Sequence, residues 1–225
     1  MAAGRARLRG LPWAAAAVLA VALGAGSAGW MASRSSLAWQ VGPWATTTLA
    51  GSPDADPWTR ARVALAALLA LNRSETMYYL AHTDSEGRAL RSRCRYRVEG
   101  VPPAARWWSV TAYSEDHFLF DHPSRRYSLN SRTAQLDDKG RFALVTGPDG
   151  SGHPVEATRA ATAAASAAPP GDRPAGTAGS GPAWLPTPGD RGLVLALRVY
   201  NPDASLSADP LRLDPPRITR LGDCP

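Results

Sequence analysis

A run of residues without charge constrains this chain more than anything else in it. Leu11 to Met31 (LPWAAAAVLAVALGAGSAGWM) contains no ionisable side chain. As a helix its roughly 21 residues would measure about 31 Å, close to the hydrocarbon thickness of a bilayer. Backbone groups in lipid must be satisfied within the segment, which leaves a helix as the conformation for a single span. Trp13 and Trp30 lie near the two ends, where indole rings favour the membrane interface. Arg5, Arg7 and Arg9 precede the run, Arg34 follows it, and no acid occurs in the first 34 residues. This bias keeps the N-terminus cytoplasmic and sends the rest of the chain across an inner membrane. Gly26-Ser27-Ala28 also offers the small residues of a signal cleavage site, so a retained anchor and a cleaved signal both remain open. The length of the run favours the anchor, and either reading exports the body.

The formal charge of +6 is therefore mostly a topology signal. Without those four arginines, 21 of the 25 basic residues remain against 19 acids, and the two signs are mixed. Nucleic-acid binding needs a concentrated basic surface and is not expected. Gly24, Gly26 and Gly29 match G-x-G-x-x-G, but inside the apolar run no strand precedes them, so they imply no dinucleotide. No cofactor is expected.

Four segments follow: a basic tail at 1–10, the anchor or signal at 11–31, a stalk at 32–53, and an exported β-rich domain at 54–225. Cys94 and Cys224 are the two cysteines. Exported thiol pairs usually bond, closing here a loop of about 130 residues. The alternative is two free buried thiols.

Asp56-Pro57 starts a helix, through a capping carboxylate and a proline at the first turn. Its apolar stripe runs from Trp58 to Leu71. The period then changes to two. Strands are expected at Thr76–His82, Arg93–Glu99, Arg106–Tyr113, Tyr127–Arg132, Arg141–Thr146, Gly192–Tyr200 and Arg217–Leu221. Cys94, Tyr96 and Val98 alternate with arginines and point inward. Residues 147–183 have one large aliphatic side chain, Val155, and no aromatic one, which reads as a flexible insertion with at most a transient helix over 156–168. One helix and about seven strands predict a mainly β body, an antiparallel, jelly-roll-like β-sandwich with one flanking helix.

Several of these segments resemble the bacterial domain-of-unknown-function family 1214. They are Ala66 to Asn72 with Glu75, Arg106 to Tyr113 (RWWSVTAY), Arg126 to Ser131 (RYSLNS), Trp184-Leu185-Pro186, and Leu197 to Pro202 (LRVYNP). The resemblance implies an antiparallel, jelly-roll-like fold in a short, membrane-anchored form. It implies no catalytic residue. Longer relatives carry a second domain, family 1254, which nothing in this sequence resembles.

Candidate ligand-binding residues are Arg106, Trp108, Arg126, Tyr127, Asn130, Trp184 and Arg198. Arginine beside aromatic rings on strands can hold carboxylates, phosphates or sugars. The competing reading puts Trp107 or Trp108 in the core and pairs the arginines with acids, Arg198 with Glu75 or Asp116. His117, Asp121 and His122 form a possible metal set, completed by His82 or Asp84. His153 falls in the flexible segment. No nucleophile motif of the G-x-S-x-G or S-x-x-K type occurs. The expected function is a membrane-anchored cell-envelope protein, periplasmic in its main domain, whose sandwich binds a small ligand or an envelope protein. The rival is an envelope enzyme, a metal-dependent hydrolase.

Overall fold

The computed structural model describes residues 7–33, 39–66, 70–148 and 182–224. The expected flexible insertion falls almost wholly outside them, with His153 and residues 156–168. The chain divides after Ala38 into two compact units.

The first unit holds helix α1, Arg7–Ser33. Its stretch Pro12–Trp30 is long and apolar enough to cross a membrane. The large side chains of Trp13, Val18, Leu19, Val21 and Leu23 are all exposed. A helix apolar around its circumference has no polar face to turn to water. Length and composition fit a membrane anchor and a signal sequence equally.

The second unit is mainly β and has two sheets. Its strands are β1 Trp39–Val41, β2 Trp44–Thr46, β3 Thr76–Ala81, β4 Tyr96–Gly100, β5 Ala105–Ser114, β6 Ser128–Asn130, β7 Phe142–Gly147, β8 Ala183–Pro186, β9 Leu193–Pro202 and β10 Arg217–Arg220. Six form one sheet in the order β1-β2-β3-β9-β5-β6, and four form another in the order β10-β4-β7-β8. β5 and β9 are the longest strands, at ten residues each, and pair antiparallel from Ala105↔Pro202 to Ser114↔Leu193. Their β-branched and aromatic content suits the centre of a sheet.

Alternation along each strand divides core from surface. Met77, Tyr79 and Ala81 of β3, Leu195, Leu197 and Val199 of β9, and Trp108, Val110 and Ala112 of β5 face inward. They meet Tyr96, Val98, Phe142, Leu144 and Ile218 of the other sheet in one cluster. The Trp108 and Phe142 rings cross between the sheets with centroids 4.5 Å apart.

Three expectations are corrected here. The supposed stalk at 32–53 includes a hairpin, β1–β2, which joins the six-stranded sheet through Trp44↔Ala81. Trp44 is fully buried, and its indole N–H donates to the Pro216 carbonyl at 2.7 Å. The two-residue loop works because Gly42 takes φ +59°, the conformation a tight hairpin asks of its first central residue. Secondly, the strands number ten among the described residues rather than about seven. Thirdly, the second sheet is not wholly antiparallel, because β8 runs parallel to β7 from Leu144↔Ala183 to Gly147↔Pro186. The long connection between them gives the chain length to return to the same end of the sheet, as a parallel pair requires.

Helix α2, Pro57–Ala66, begins as expected. The Asp56 carboxylate accepts from the backbone N–H groups of Trp58 and Thr59. The expected run to Leu71 is corrected: residues 67–69 lie outside the description, and Ala70, Leu71 and Asn72 are not helical. A short helix α3, Ala204–Ala208, is capped by Asp203, which accepts from the Leu206 N–H at 2.7 Å. Cys94 and Cys224 form the expected disulfide across a separation of 130 residues. Cys94 is fully buried, and Arg220 Nη2 lies 3.2 Å from its sulfur. β4 starts at Tyr96, later than expected, because the Cys94 N–H closes a turn onto the Arg91 carbonyl. The inward pointing of Cys94, Tyr96 and Val98 holds all the same.

Candidate functional site

The face of the six-stranded sheet that points away from the core sets a half-buried arginine among hydroxyls and aromatic rings. Register places Tyr78, Arg198, Ser109 and Asn130 side by side across four strands. The next rung on one side is Thr76, Tyr200 and Trp107. On the other side come Leu80, Ala196, Thr111 and Ser128. Small residues line the middle of this face: Ser109, Thr111 and Ala196 are at most 6% exposed beneath larger neighbours. Among the described residues neither the Ser109 nor the Thr111 hydroxyl has a hydrogen-bond partner. Large rings stand at both ends, Trp107 edge-on to Tyr200 at 4.9 Å and Tyr113 beyond Thr111 on β5.

Arg198 is the charge on this face. It is half-buried, and no carboxylate among the described residues lies within ion-pair distance of it. Its Nη2 instead donates to the Tyr113 hydroxyl at 2.9 Å, with the guanidinium carbon 5.5 Å from the Tyr113 ring centre. The acid pairing expected for Arg198 is therefore corrected. Asp116 is held by Ser114 Oγ and lies 3.6 Å from Arg191, while Glu75 is exposed. A hydroxyl satisfies one donor of a guanidinium and leaves its charge unneutralised.

The other predicted residues are spread more widely. Trp108 is a core residue, 3% exposed, and is corrected from binding to packing. Asn130 Oδ1 accepts from the N–H groups of Arg132 and Thr133, so its amide oxygen serves a turn. Tyr127 is half-buried on the approach to β6, its carbonyl accepting from the Ala112 N–H. Arg106 is exposed near the start of β5. Arg126 is half-buried on the loop before β6, without a carboxylate partner among the described residues. Burial holds its pKa below the ordinary arginine value. Trp184 belongs to the other sheet and meets the His122 ring edge-on at 5.3 Å. The predicted group is thus not one site. Arg198 stays, and Tyr78, Tyr113, Tyr200, Ser109 and Thr111 were missed. Alternation in RWWSVTAY and LALRVY puts Trp107, Ser109, Thr111 and Tyr113 on one face of β5, and Arg198 and Tyr200 on one face of β9. The pairing register that joins the two rows has no local sequence signal.

The proposed metal set does not assemble. Among the described residues no three His, Cys, Asp or Glu side chains gather closely enough to hold an ion. His117 sits in a tight turn at φ +67°, and His122 Nδ1 is 2.8 Å from Ser124 Oγ. Asp84 is committed elsewhere: its carboxylate accepts from the N–H groups of Glu86 and Arg88 and from Arg88 Nε. Desolvation and the neighbouring His117 push the His82 pKa below the ordinary histidine value.

A family model described as "Protein of unknown function (DUF1214)" matches residues 75–204. No curated protein matches the sequence. Among solved structures, the chain is similar to the VPA0106 protein from Vibrio parahaemolyticus, with a TM-score of 0.53 and 20% identity. That match covers 75% of this chain and 36% of the other, so the chain spans about a third of that relative's length. A putative uncharacterized protein from Burkholderia cenocepacia matches at a TM-score of 0.35 and 16% identity, over 76% of this chain and 44% of that one. At these identities the likeness to VPA0106 concerns the fold alone.

Proposed function

Since the chain belongs to the family of proteins of unknown function DUF1214, which fixes no chemistry, we propose from its geometry that it is a cell-envelope binding module for an anionic ligand. The apolar helix α1 holds it in the inner membrane with its N-terminus in the cytoplasm. The sandwich then stands in the periplasm, where the Cys94–Cys224 bond persists. The arginines flanking the apolar run and the disulfide both support this placement. The ligand meets the outer face of the six-stranded sheet.

One observation carries the reading: Arg198 presents its charge beside Tyr113 on an otherwise uncharged rung, with no acid among the described residues to neutralise it. A hydrogen bond to a charged group contributes about 1.5–3 kcal/mol, or roughly ten- to a hundredfold in affinity. The test is titration of the isotope-labelled full chain, in nonionic detergent, with citrate and with inorganic phosphate. The expected result is saturable NMR shifts at Arg198, Tyr113 and Ser109, which Arg198→Met abolishes. Shifts confined to other surfaces, or unchanged in Arg198→Met, would overturn the reading.

A further inference from the structure

We infer that the ligand of this face is an acidic oligosaccharide, bound along β5 and β9 with a carboxylate on Arg198. The inference rests on the binding role just proposed and narrows it to one chemistry. Four observations select that chemistry together. The first is the guanidinium without an acid, which calls for a carboxylate or a similar anion. The second is the pair of hydroxyls on Ser109 and Thr111, which have no partner among the described residues and lie beneath taller neighbours. A ligand that reaches them must bring hydroxyl or ring-oxygen partners of its own. The third is the aromatic rim, Trp107 with Tyr200 at one end and Tyr113 at the other. Rings of this kind offer apolar faces to flat, weakly polar surfaces while their polar tips remain wet. A pyranose ring has such a face, with hydroxyls around its edge, and a uronic acid adds the carboxylate.

The fourth observation is length. Trp107 and Tyr113 are six residues apart on one strand, which spans about 20 Å at 3.3–3.4 Å per residue. That exceeds a single sugar ring and suits a short oligomer lying along the strands. An acidic peptide would also satisfy Arg198, but its own backbone groups would seek a strand edge, and β5 and β9 are paired on both sides.

The experiment is calorimetric titration of the full chain, in nonionic detergent, with tri-galacturonate, neutral maltotriose and an Asp-rich hexapeptide. The expected result is saturable binding of tri-galacturonate, weakened at least tenfold by Arg198→Met and by Trp107→Ala, with Arg198→Lys recovering part of the loss. Maltotriose should bind at least tenfold more weakly and ignore Arg198→Met. Thermal unfolding midpoints within a few degrees of the parent confirm that the variants fold. Binding of the peptide or of citrate through Arg198, without tri-galacturonate binding, would overturn the saccharide inference and leave the anionic site standing. Failure of every anion to bind through Arg198 would overturn both.

Discussion

Breaking the Cys94–Cys224 bond should cost about 5 kcal/mol of stability. The bond closes a loop of 130 residues. In the chain-entropy model a loop of that size lowers the entropy of the unfolded ensemble by about 17 cal/mol/K, or about 5 kcal/mol at 25 °C. The folded state should change little. β10 pairs with β4 from Arg217↔Glu99 to Arg220↔Tyr96, and the Leu221 N–H donates to the Arg95 carbonyl, so the C-terminal strand is held beside Cys94 without the bridge. For a body of this size about 5 kcal/mol corresponds to a fall of roughly 10–20 °C in unfolding midpoint. The assay is urea unfolding of the full chain in nonionic detergent, followed by tryptophan fluorescence, oxidised and reduced. Cys224→Ala, at the half-buried partner, should match the reduced parent and show no further response to reductant. Equal stabilities of the oxidised and reduced parent, within about 1 kcal/mol, would refute the reasoning.

Other substitutions test other parts of the account. Trp108→Ala should cost about 3–5 kcal/mol in urea unfolding, because it empties a site between the sheets against Phe142. Gly51→Ala should cost about 1–3 kcal/mol, since φ is +69° there and an added Cβ would stand 2.3 Å from the Leu71 carbonyl oxygen. Arg198→Met should change stability by less than about 1 kcal/mol, because it loses one hydrogen bond on a partly exposed face. Asp84 links stability to pH. Burial alone would raise its pKa, but hydrogen bonds from the backbone and side chain of Arg88 and the backbone of Glu86 outweigh burial and hold it below the ordinary value of 3.8. Its contribution is therefore fully present above that value and is lost as pH falls through the lower folded-state pKa. Asp84→Asn should destabilise at neutral pH by about 1–3 kcal/mol, and the gap to the parent should shrink in strong acid.

Much of the architecture was legible because long strands carry their own period. The alternation of RWWSVTAY and the apolar run of GLVLALRVY placed β5 and β9, and the Cys94-Tyr96-Val98 alternation aimed one half of the disulfide inward. Short strands lack that signal. Three residues on either side of Gly42-Pro43 do not complete two periods, so Trp39 and Trp44 read as isolated large groups until the sheet brought Trp44 beneath Pro216. Strand partnership is likewise non-local: nothing between Gly147 and Ala183 says that β8 returns parallel to β7. The site was half visible for the same reason. Arg198 stands out as a charge inside an apolar strand, whereas its neighbours Tyr113 and Ser109 are set by register. Asn130 and Trp108 were the right residue types in roles that only packing and turn geometry reveal, one closing a turn and one filling the core.

The proposed binding role places the sandwich across the membrane, and the oxidation state of its two cysteines tests that placement directly. The measurement is acid-trapping of cells that make the full chain, followed by alkylation with a maleimide-polyethylene glycol and a gel-shift readout. The account predicts no shift until a reductant is added after trapping, and then a shift of two adducts. Two adducts without reductant, in the membrane-associated or soluble fraction, would show that Cys94 and Cys224 are reduced and would contradict an exported body.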